Sequence, residues 1–412
     1  MPLPREPACL PLAARHPLDP VDMRVVHLCN LPLPPEHPDH GSVSFHPGRW
    51  VLNLAIAQRK HAGIDARLVM QVPGSRRDFR AEIEGVPVHF VAAPDRLRSA
   101  TLFLPDVLRL RKAALAEKPD VVHAHGTEDA YALAAQACGK PSVITAQGCF
   151  FIINRELPPR LFSRERVVQF TEWMALRRAK HVIAKSAYVR DQLARAFPNL
   201  TIHEIPNTID ARLLEIPLDR DRKNASLAFV GTLVPRKGVH LIADALEMIR
   251  EADPGCFAMI RLDIFGDKPG WEDRYELDCK RRLRNILADR VRFHGTIPAI
   301  EVAEALSRAE VLLAPSLEEM FGNQFIEAVA VGADAIVTEG TAMAENARRL
   351  QAGRIVGRDD VFGLADAIRE ALASPLGQTE RVRRRLALAD FVGPEAVARS
   401  HEFLYRRILN GA

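Results

Sequence analysis

From Met23 onward the chain alternates short, continuous apolar runs with longer stretches whose apolar positions recur at helical spacing. Uninterrupted β-branched runs bounded by turn residues predict strands buried on both faces, and their alternation with helices predicts βαβ units and a parallel sheet. The first strand is predicted at Val25–Leu28, followed by a loop rich in Pro, His and Gly as far as Gly48 and a helix from about Trp50 to His61. Further strands are predicted at Ala66–Met70, Val86–Val91, Val121–His123, Ser142–Thr145, His181–Ala184 and Ile202–Ile205. A charged, weakly patterned stretch from about Thr208 to Asn224 interrupts the alternation. It resumes with strands at Leu227–Val230, Ile260–Phe265, Val291–His294, Val311–Ala314 and Ala335–Thr338, and a helix from Gly238 to Arg250. A closing helix from about Pro394 to Leu409 carries apolar Val397, Phe403, Leu404 and Ile408, so it must pack on something.

The pattern predicts an α/β protein of two doubly wound Rossmann-like domains, residues 23–212 and 226–390, joined by a linker at 213–225 and facing a cleft where a ligand sits. Residues 391–412 are expected to pack back on the first domain as a helix. Residues 1–22 are proline-rich and broken by Arg5, Glu6, Arg15 and Asp19; they lack the apolar run of a signal peptide and read as a leader. A length of 412 residues fits two or three cores rather than one. With 48% apolar and 26% charged residues, no large disordered region is implied. The formal net charge of +4 is too small for a nucleic-acid footprint, though it permits attraction to phosphates or anionic lipid. The six cysteines are scattered with no CxxC pair, so neither a zinc site nor a disulfide framework is readable and a reducing cytoplasm fits. No segment approaches the roughly 20 apolar residues of a membrane span.

The chemistry concentrates in Ala314–Gly332, where a buried strand runs into a loop and then a helix carrying the carboxylates Glu319 and Glu327, with Phe321-Gly322 between them. Such a unit brings the free amides and positive dipole end of a helix start to the carboxyl edge of a parallel sheet, a place suited to phosphate. At Gly231-Thr-Leu-Val-Pro-Arg-Lys-Gly238 a strand ends in glycine and Arg236 and Lys237 meet the next helix, a cradle for a diphosphate. The spacing is not that of a P-loop. Standing alone, the basic pair reads as a solvated turn, Glu319 as a loop carboxylate and Glu327 as a surface helix position.

Several of these pieces occur together in order: Phe229-Val-Gly-Thr-Leu with Lys237-Gly238, Ile264-Phe-Gly-Asp, Val291-Arg-Phe-His-Gly295, Pro315-Ser with Glu319-Met-Phe-Gly322, and Glu327-Ala. In this the second half resembles glycosyltransferase family 4 (group 1), retaining enzymes of the GT-B fold. Asp120-Val-Val-His-Ala-His-Gly126, Lys185-Ser186 and Ile205-Pro-Asn-Thr-Ile-Asp210 extend the resemblance to the first half. The resemblance implies that Glu327 holds the ribose hydroxyls of a nucleoside diphosphate sugar and that Glu319 lies beside the transferred sugar. It further implies that Lys237 neutralises the departing diphosphate, with the amides around Phe321, Gly322 and Asn323 in support, and that His125 approaches the sugar or phosphate. Catalytic roles thus fall to Glu319, His125 and Lys237, and donor binding to Gly231, Arg236, Lys237, Ser316, Phe321, Gly322, Asn323 and Glu327. No cofactor and no metal are expected. Ser316 reads equally as a nucleotide contact or a turn cap, His125 nearly equally as a helix cap, His123 as structural and Glu318 as solvated.

The chain departs from the family pattern at Thr232, where an arginine is common; Arg236 is the candidate replacement. Gln147 stands where a histidine is usual, Asp334 displaces a proline, and Gly340-Thr341 stands for Gly-Gly before the expected Glu345. The adjacent glycines of the first loop are absent, leaving Gly41 and Pro47-Gly48. These changes are expected mostly on acceptor-facing or phosphate-gripping loops.

Arg96, Arg98, Arg109, Arg111 and Lys112 flank Leu102, Phe103, Leu104, Val107, Leu108 and Leu115, and Arg155, Arg160, Arg164, Arg166, Arg177 and Arg178 form a second basic region. A basic amphipathic surface suits peripheral docking on the inner face of a membrane, while an ordinary helix with a buried face and solvated charges is the plainer reading. The expectation is a cytoplasmic transferase moving a sugar to a hydroxyl on a glycan, lipid-linked or small-molecule acceptor. The rivals are a nucleotide-sugar epimerase of the same fold and a non-catalytic nucleotide-sugar-binding protein.

Overall fold

The structure, a computed structural model, describes residues 23–34, 36–38, 49–94, 98–127, 130–153, 163–219, 225–267 and 274–411. The leader at 1–22, Gly41, Pro47, Gly48, Arg96, Arg155, Arg160 and the charged run 220–224 lie outside the described residues.

The first domain is built on β1 (Met23–Leu28), β2 (Ile64–Pro73), β3 (Phe79–Ile83), β4 (Val86–Ala93), β5 (Val121–His125), β6 (Ser142–Thr145), β7 (His181–Ala184) and β8 (Thr201–Glu204). Their order is β3-β4-β2-β1-β5-β6-β7-β8, and only β3 runs antiparallel to its neighbour. The second domain holds β9 (Ser226–Val230), β10 (Arg261–Phe265), β11 (Val291–Gly295), β12 (Val311–Ala314), β13 (Asp334–Thr338) and β14 (Arg354–Val356), all parallel, in the order β11-β10-β9-β12-β13-β14. These are the two doubly wound sheets expected from the pattern.

Two strands escaped that pattern. In β3 the partly buried Phe79, Ala81 and Ile83 alternate with exposed Arg80 and Glu82, as suits an edge strand wetted on one side. It reaches β4 through Glu84-Gly85, both at positive φ (49° and 79°), the signature of a tight hairpin. β14 has only three residues, too few to show a period.

Each sheet is covered on both faces, and for that reason β5, β12 and β13 are buried at every position. One face of the first sheet packs against the Trp50–His61 helix and the last helix, Pro394–Leu409, whose Val397, Ala398, Leu404, Tyr405 and Ile408 join the core of Val25, Leu68, Phe90 and Val121. Phe403, read from the sequence among the packing residues of that helix, instead points outward beneath the Arg407 guanidinium, 5.9 Å from the ring centre. The start of the stretch read as a linker is not a free connection either. Ala211–Glu215 is a short helix, and Ile209, Leu213 and Ile216 are buried in the second domain's core.

In both sheets the strand order reverses beside the first strand, between β1 and β5 and between β9 and β12. Ligands of open α/β sheets bind outside the carboxyl ends at such switch points. The segments leaving β5, β9 and β12 carry His125, Gly231 to Gly238 and Pro315 to Asn323.

Candidate active site

On the second-domain side, β12 ends at Ala314 and the chain crosses the sheet edge to Gly322, whose φ of 80° starts the helix Asn323–Ala330. Gly322 is required there twice over, by its left-handed conformation and because a Cβ would lie 2.1 Å from Met343 Cγ. Gly238 presses equally closely: a Cβ would stand 2.0 Å from the Pro315 carbonyl oxygen. This contact, with Leu317 N donating to Arg236 O at 2.8 Å, locks the two loops together. A third glycine contact, Gly266 against the Gly231 carbonyl, seats the end of β9.

The locked loops set Lys237 Nζ 2.5 Å from Glu319 Oε2, and Gln324 Nε2 donates to the same oxygen at 3.2 Å. Burial by itself would push the Glu319 carboxyl up, but the charge and hydrogen bond of Lys237, with Gln324 and Arg236, outweigh it and hold the group at about 2. Arg236 lines the cleft beside Glu319. Glu327, in the second turn of the helix, has no side-chain hydrogen bond among the described residues. Burial, with the Asp210 charge added, raises it to about 7. Its two oxygens are thus poised between states and open to hydroxyl donors.

Phe321 is buried, and its carbonyl accepts from Asn346 Nδ2 at 2.8 Å. Asn323 accepts from Asn207 Nδ2 across the cleft at 3.3 Å. The leading N–H groups of this helix have no intrahelical acceptor, as at any helix start. Ser316 is buried, and the cap position of the helix belongs to Gly322. Glu318 is not solvated as expected: Tyr188 Oη donates to its Oε2 at 2.9 Å across the domain boundary. Asp334 likewise departs from expectation. It sits buried at the start of β13, paired with Arg354 and Arg384, on the sheet edge away from the cleft, so it touches no phosphate-gripping loop. Thr341 caps the helix Ala342–Leu350, and Glu345 reaches the other domain to accept from the amides of Ala187 and Tyr188 at 2.9 and 2.8 Å. Ser186 Oγ adds a hydrogen bond to Met320 O at 2.9 Å.

On the first-domain side His125 ends β5 facing this loop. The two walls enclose a cleft of about 280 Å³, lined by His125, Gln147, Lys185, Arg236, Glu319 and Asn323 among others. Lys185 donates to both the backbone and side-chain oxygens of Gln147, at 2.8 and 3.0 Å, so this glutamine keeps a fixed place in the cleft wall. A larger open groove of about 620 Å³ lies elsewhere, against β4 and the helix Leu104–Ala116, and holds none of the candidate residues.

Behind His125 lies a group invisible in the sequence pattern. His27 Nδ1 is 2.9 Å from His125 Nε2, and His27 Nε2 is 2.8 Å from Gln58 Oε1. His123 Nδ1 and Nε2 contact Tyr405 Oη and Thr145 Oγ1, each at 2.7 Å. The cross-strand register His27↔His123 is the only sequence-level hint, and it needs β1 and β5 to be neighbours. His27, His123 and His125 bring ring nitrogens within 4.8 Å of one another, a spacing that could hold a metal ion, but five of the six nitrogens are already in these contacts. Burial and the neighbouring rings push all three well below the ordinary histidine range, His27 to about 3.

Residues 47–213 match the family model described as Glycosyltransferase Family 4, and residues 224–374 match that described as Glycosyl transferases group 1. Glycogen synthase of Mycobacterium tuberculosis is 32% identical over 294 residues, covering 69% of this chain and 68% of that protein. The 2-deoxystreptamine N-acetyl-D-glucosaminyltransferase of Streptomyces fradiae is 27% identical over 366 residues, covering 78% and 81%. Among solved structures, sucrose-phosphate synthase from Thermosynechococcus elongatus superposes with a TM-score of 0.75 at 20% identity, covering 95% of this chain and all of that one. The Anabaena protein HepE, solved in complex with UDP-glucose, gives 0.65 at 16% identity over 95% and 100%. These two share the fold, while the matched domains and the sequence relatives carry the kinship: the chain belongs to glycosyltransferase family 4, the group 1 glycosyltransferases of GT-B fold.

Proposed function

We propose that the cleft transfers a sugar from a nucleoside diphosphate donor to a hydroxyl acceptor with retention at the anomeric carbon and without a metal. The observation that carries this reading is the largely buried Lys237–Glu319 pair at 2.5 Å beside the helix start, with Glu327, which has no side-chain hydrogen bond among the described residues, one turn further on. In this reading the ribose hydroxyls take Glu327, the diphosphate lies on the amides of Phe321 to Asn323 and on Lys237 and Arg236, and Gly231 allows its close approach. Ser316 is buried beside these phosphate contacts. Fixed cations then stabilise charge as it develops on the leaving diphosphate, the work a divalent ion does elsewhere. Glu319, ionised by its partners, faces the growing positive charge at the anomeric carbon. The acceptor attacks from the face the diphosphate leaves, and a phosphate oxygen takes its proton.

The acceptor class that fits is a glycan, lipid-linked or small hydroxyl compound entering from the first-domain wall around His125 and Gln147. The relatives are transferases, which disfavours the epimerase and binding-protein readings. A panel of UDP-, GDP- and ADP-sugars, scored by thermal shift and then by nucleotide release with and without acceptors, tests the reading. Stabilisation by one donor and acceptor-dependent release are expected. No stabilisation by any donor refutes it, as does unchanged donor binding in Glu327→Ala and Lys237→Ala.

A cytoplasmic enzyme resting peripherally on the membrane is supported by one surface. Leu104 and Leu108 are 59% and 55% exposed on the helix Leu104–Ala116, beside Arg109, Arg111 and Lys112. Phe170 and Trp173 are 46% and 45% exposed on the helix Arg164–Arg178, among its arginines. Both helices pack on the same face of the first sheet. The leucines expected to belong to a buried stripe therefore face outward. Among the described residues no helix is long and apolar enough to cross a membrane.

A further inference from the structure

We infer that Gln58 and His27 are positioning residues that fix the tautomer of His125, holding the buried Nδ1 of this cleft-lining residue as a bare hydrogen-bond acceptor for a substrate hydroxyl. Gln58 is fully buried in the Trp50–His61 helix, and its amide has one donating and one accepting end. Its Nε2 donates to Tyr405 Oη at 3.2 Å, which leaves Oε1 facing His27 Nε2 at 2.8 Å. An amide oxygen only accepts, so the proton of His27 is on Nε2. A neutral imidazole carries a single N–H, so His27 Nδ1 is a lone pair. That lone pair stands 2.9 Å from His125 Nε2, which must therefore be the donor. By the same rule His125 Nδ1 carries no proton.

Other features agree with this direction. His125 Nδ1 is buried without a partner, and the residue lines the cleft with Lys185 and Glu319. Lys185, a donor only, exerts its positive charge on His125, which favours a lone pair over an N–H on Nδ1. Tyr405 Oη, taking the amide proton, can give its own to His123 Nδ1 at 2.7 Å, whose Nε2–H then meets Thr145 Oγ1. Donation runs in one sense, from His125 at the cleft through His27 and Gln58 to Tyr405 of the last helix, and on through His123 to Thr145. A cleft-lining ring whose free nitrogen is a bare acceptor selects hydroxyl donors and rejects a phosphate oxygen or carboxylate, so His125 is set to meet a hydroxyl of the transferred sugar or of the acceptor. This deepens the proposed transfer reaction and rests on it.

Nitrogen-15 NMR of histidine-labelled full-length protein, with His125 assigned by His125→Gln, reads the tautomer without any turnover. Wild type is expected to show Nε2–H on both His27 and His125. His27→Phe removes the acceptor and should shift His125 toward Nδ1–H, with kcat lower by on the order of 100-fold and donor KM unchanged within about two-fold. His27→Asn places an amide oxygen near the Nδ1 position and should restore both tautomer and most of the turnover. Gln58→Leu, with its melting temperature recorded, is a second route to the same loss. An Nδ1–H signal on wild-type His125 overturns the inference, and so does a tautomer change that leaves kcat intact. Absence of donor-dependent nucleotide release in wild type would instead refute the transfer reading and leave the tautomer result standing.

Discussion

Lys237 Nζ and Glu319 Oε2 meet at 2.5 Å inside the loop that precedes the helix Asn323–Ala330, each with less than a fifth of its side chain exposed. The pair explains how a largely buried carboxylate stays ionised, with its pKa held at about 2.

Removing the lysine should therefore do more than delete a phosphate contact. Lys237→Ala is expected to lower turnover by about 100- to 1,000-fold and to move the titration of Glu319 up toward the ordinary carboxylate range. Stopped nucleotide-release assays across pH measure both. Turnover within a few-fold of wild type would remove Lys237 from the site.

Glu327 gives the opposite pH signature. Its folded pKa is raised by burial from 4.5 to about 7, so its contribution to stability is complete below 4.5 and is lost as pH rises through about 7. The melting temperature of the free protein should fall across that window, and Glu327→Gln should flatten that part of the profile. Nucleotide-sugar affinity should run the other way, rising with pH as the carboxylate forms. Calorimetric titration at several pH values decides; affinity independent of pH in wild type contradicts the ribose role.

The tight glycine at the helix start can be separated from an ordinary one. Gly322 and Gly340 both have left-handed backbones, but a Cβ at Gly322 meets Met343 at 2.1 Å and one at Gly340 meets nothing within 4 Å. Gly340→Ala should cost about 1 kcal/mol for conformation alone, and Gly322→Ala about 2–4 kcal/mol as the clash is added. Thermal or denaturant unfolding reads the difference, and equal losses would mean the loop shifts freely.

On the membrane, wild-type protein should co-sediment with vesicles containing anionic lipid and not with neutral ones, and the binding should weaken with salt. Leu104→Asp with Leu108→Asp should abolish it without changing nucleotide release from the donor in the presence of a soluble acceptor. Equal sedimentation with both vesicle types, or none, refutes the docking surface.

Strand alternation and the ordered glycine and carboxylate stations made both sheets and the loop-to-helix unit carrying Glu319 and Glu327 legible, because those features are local and periodic. β3 was not, because an edge strand wears polar residues on its wet side. Phe403 and Leu104 show the limit of reading a helix face from apolar residues: the chain does not say which of them meet a partner. Asp334 was misplaced because a departure from a family pattern marks a position without saying which sheet edge it occupies. Lys185, Gln324, Gln58, His27 and Tyr405 were missed as site residues. For Gln58, His27 and Tyr405 the chemistry exists only once β1, β5 and the last helix come together, a juxtaposition spanning 347 positions between Gln58 and Tyr405, while Lys185 needs β6 and β7 side by side and Gln324 needs the loop before its own helix to turn back.

The place of Tyr405 has a consequence in time. A ribosome releases the strands of the first sheet long before residues 394–409, yet Val397, Leu404 and Tyr405 complete that sheet's core. Of these two domains, the one that emerges earlier is thus finished later. Its exposed apolar face must wait through synthesis of the whole second domain, the interval in which a nascent chain depends most on chaperones and is most open to misassembly.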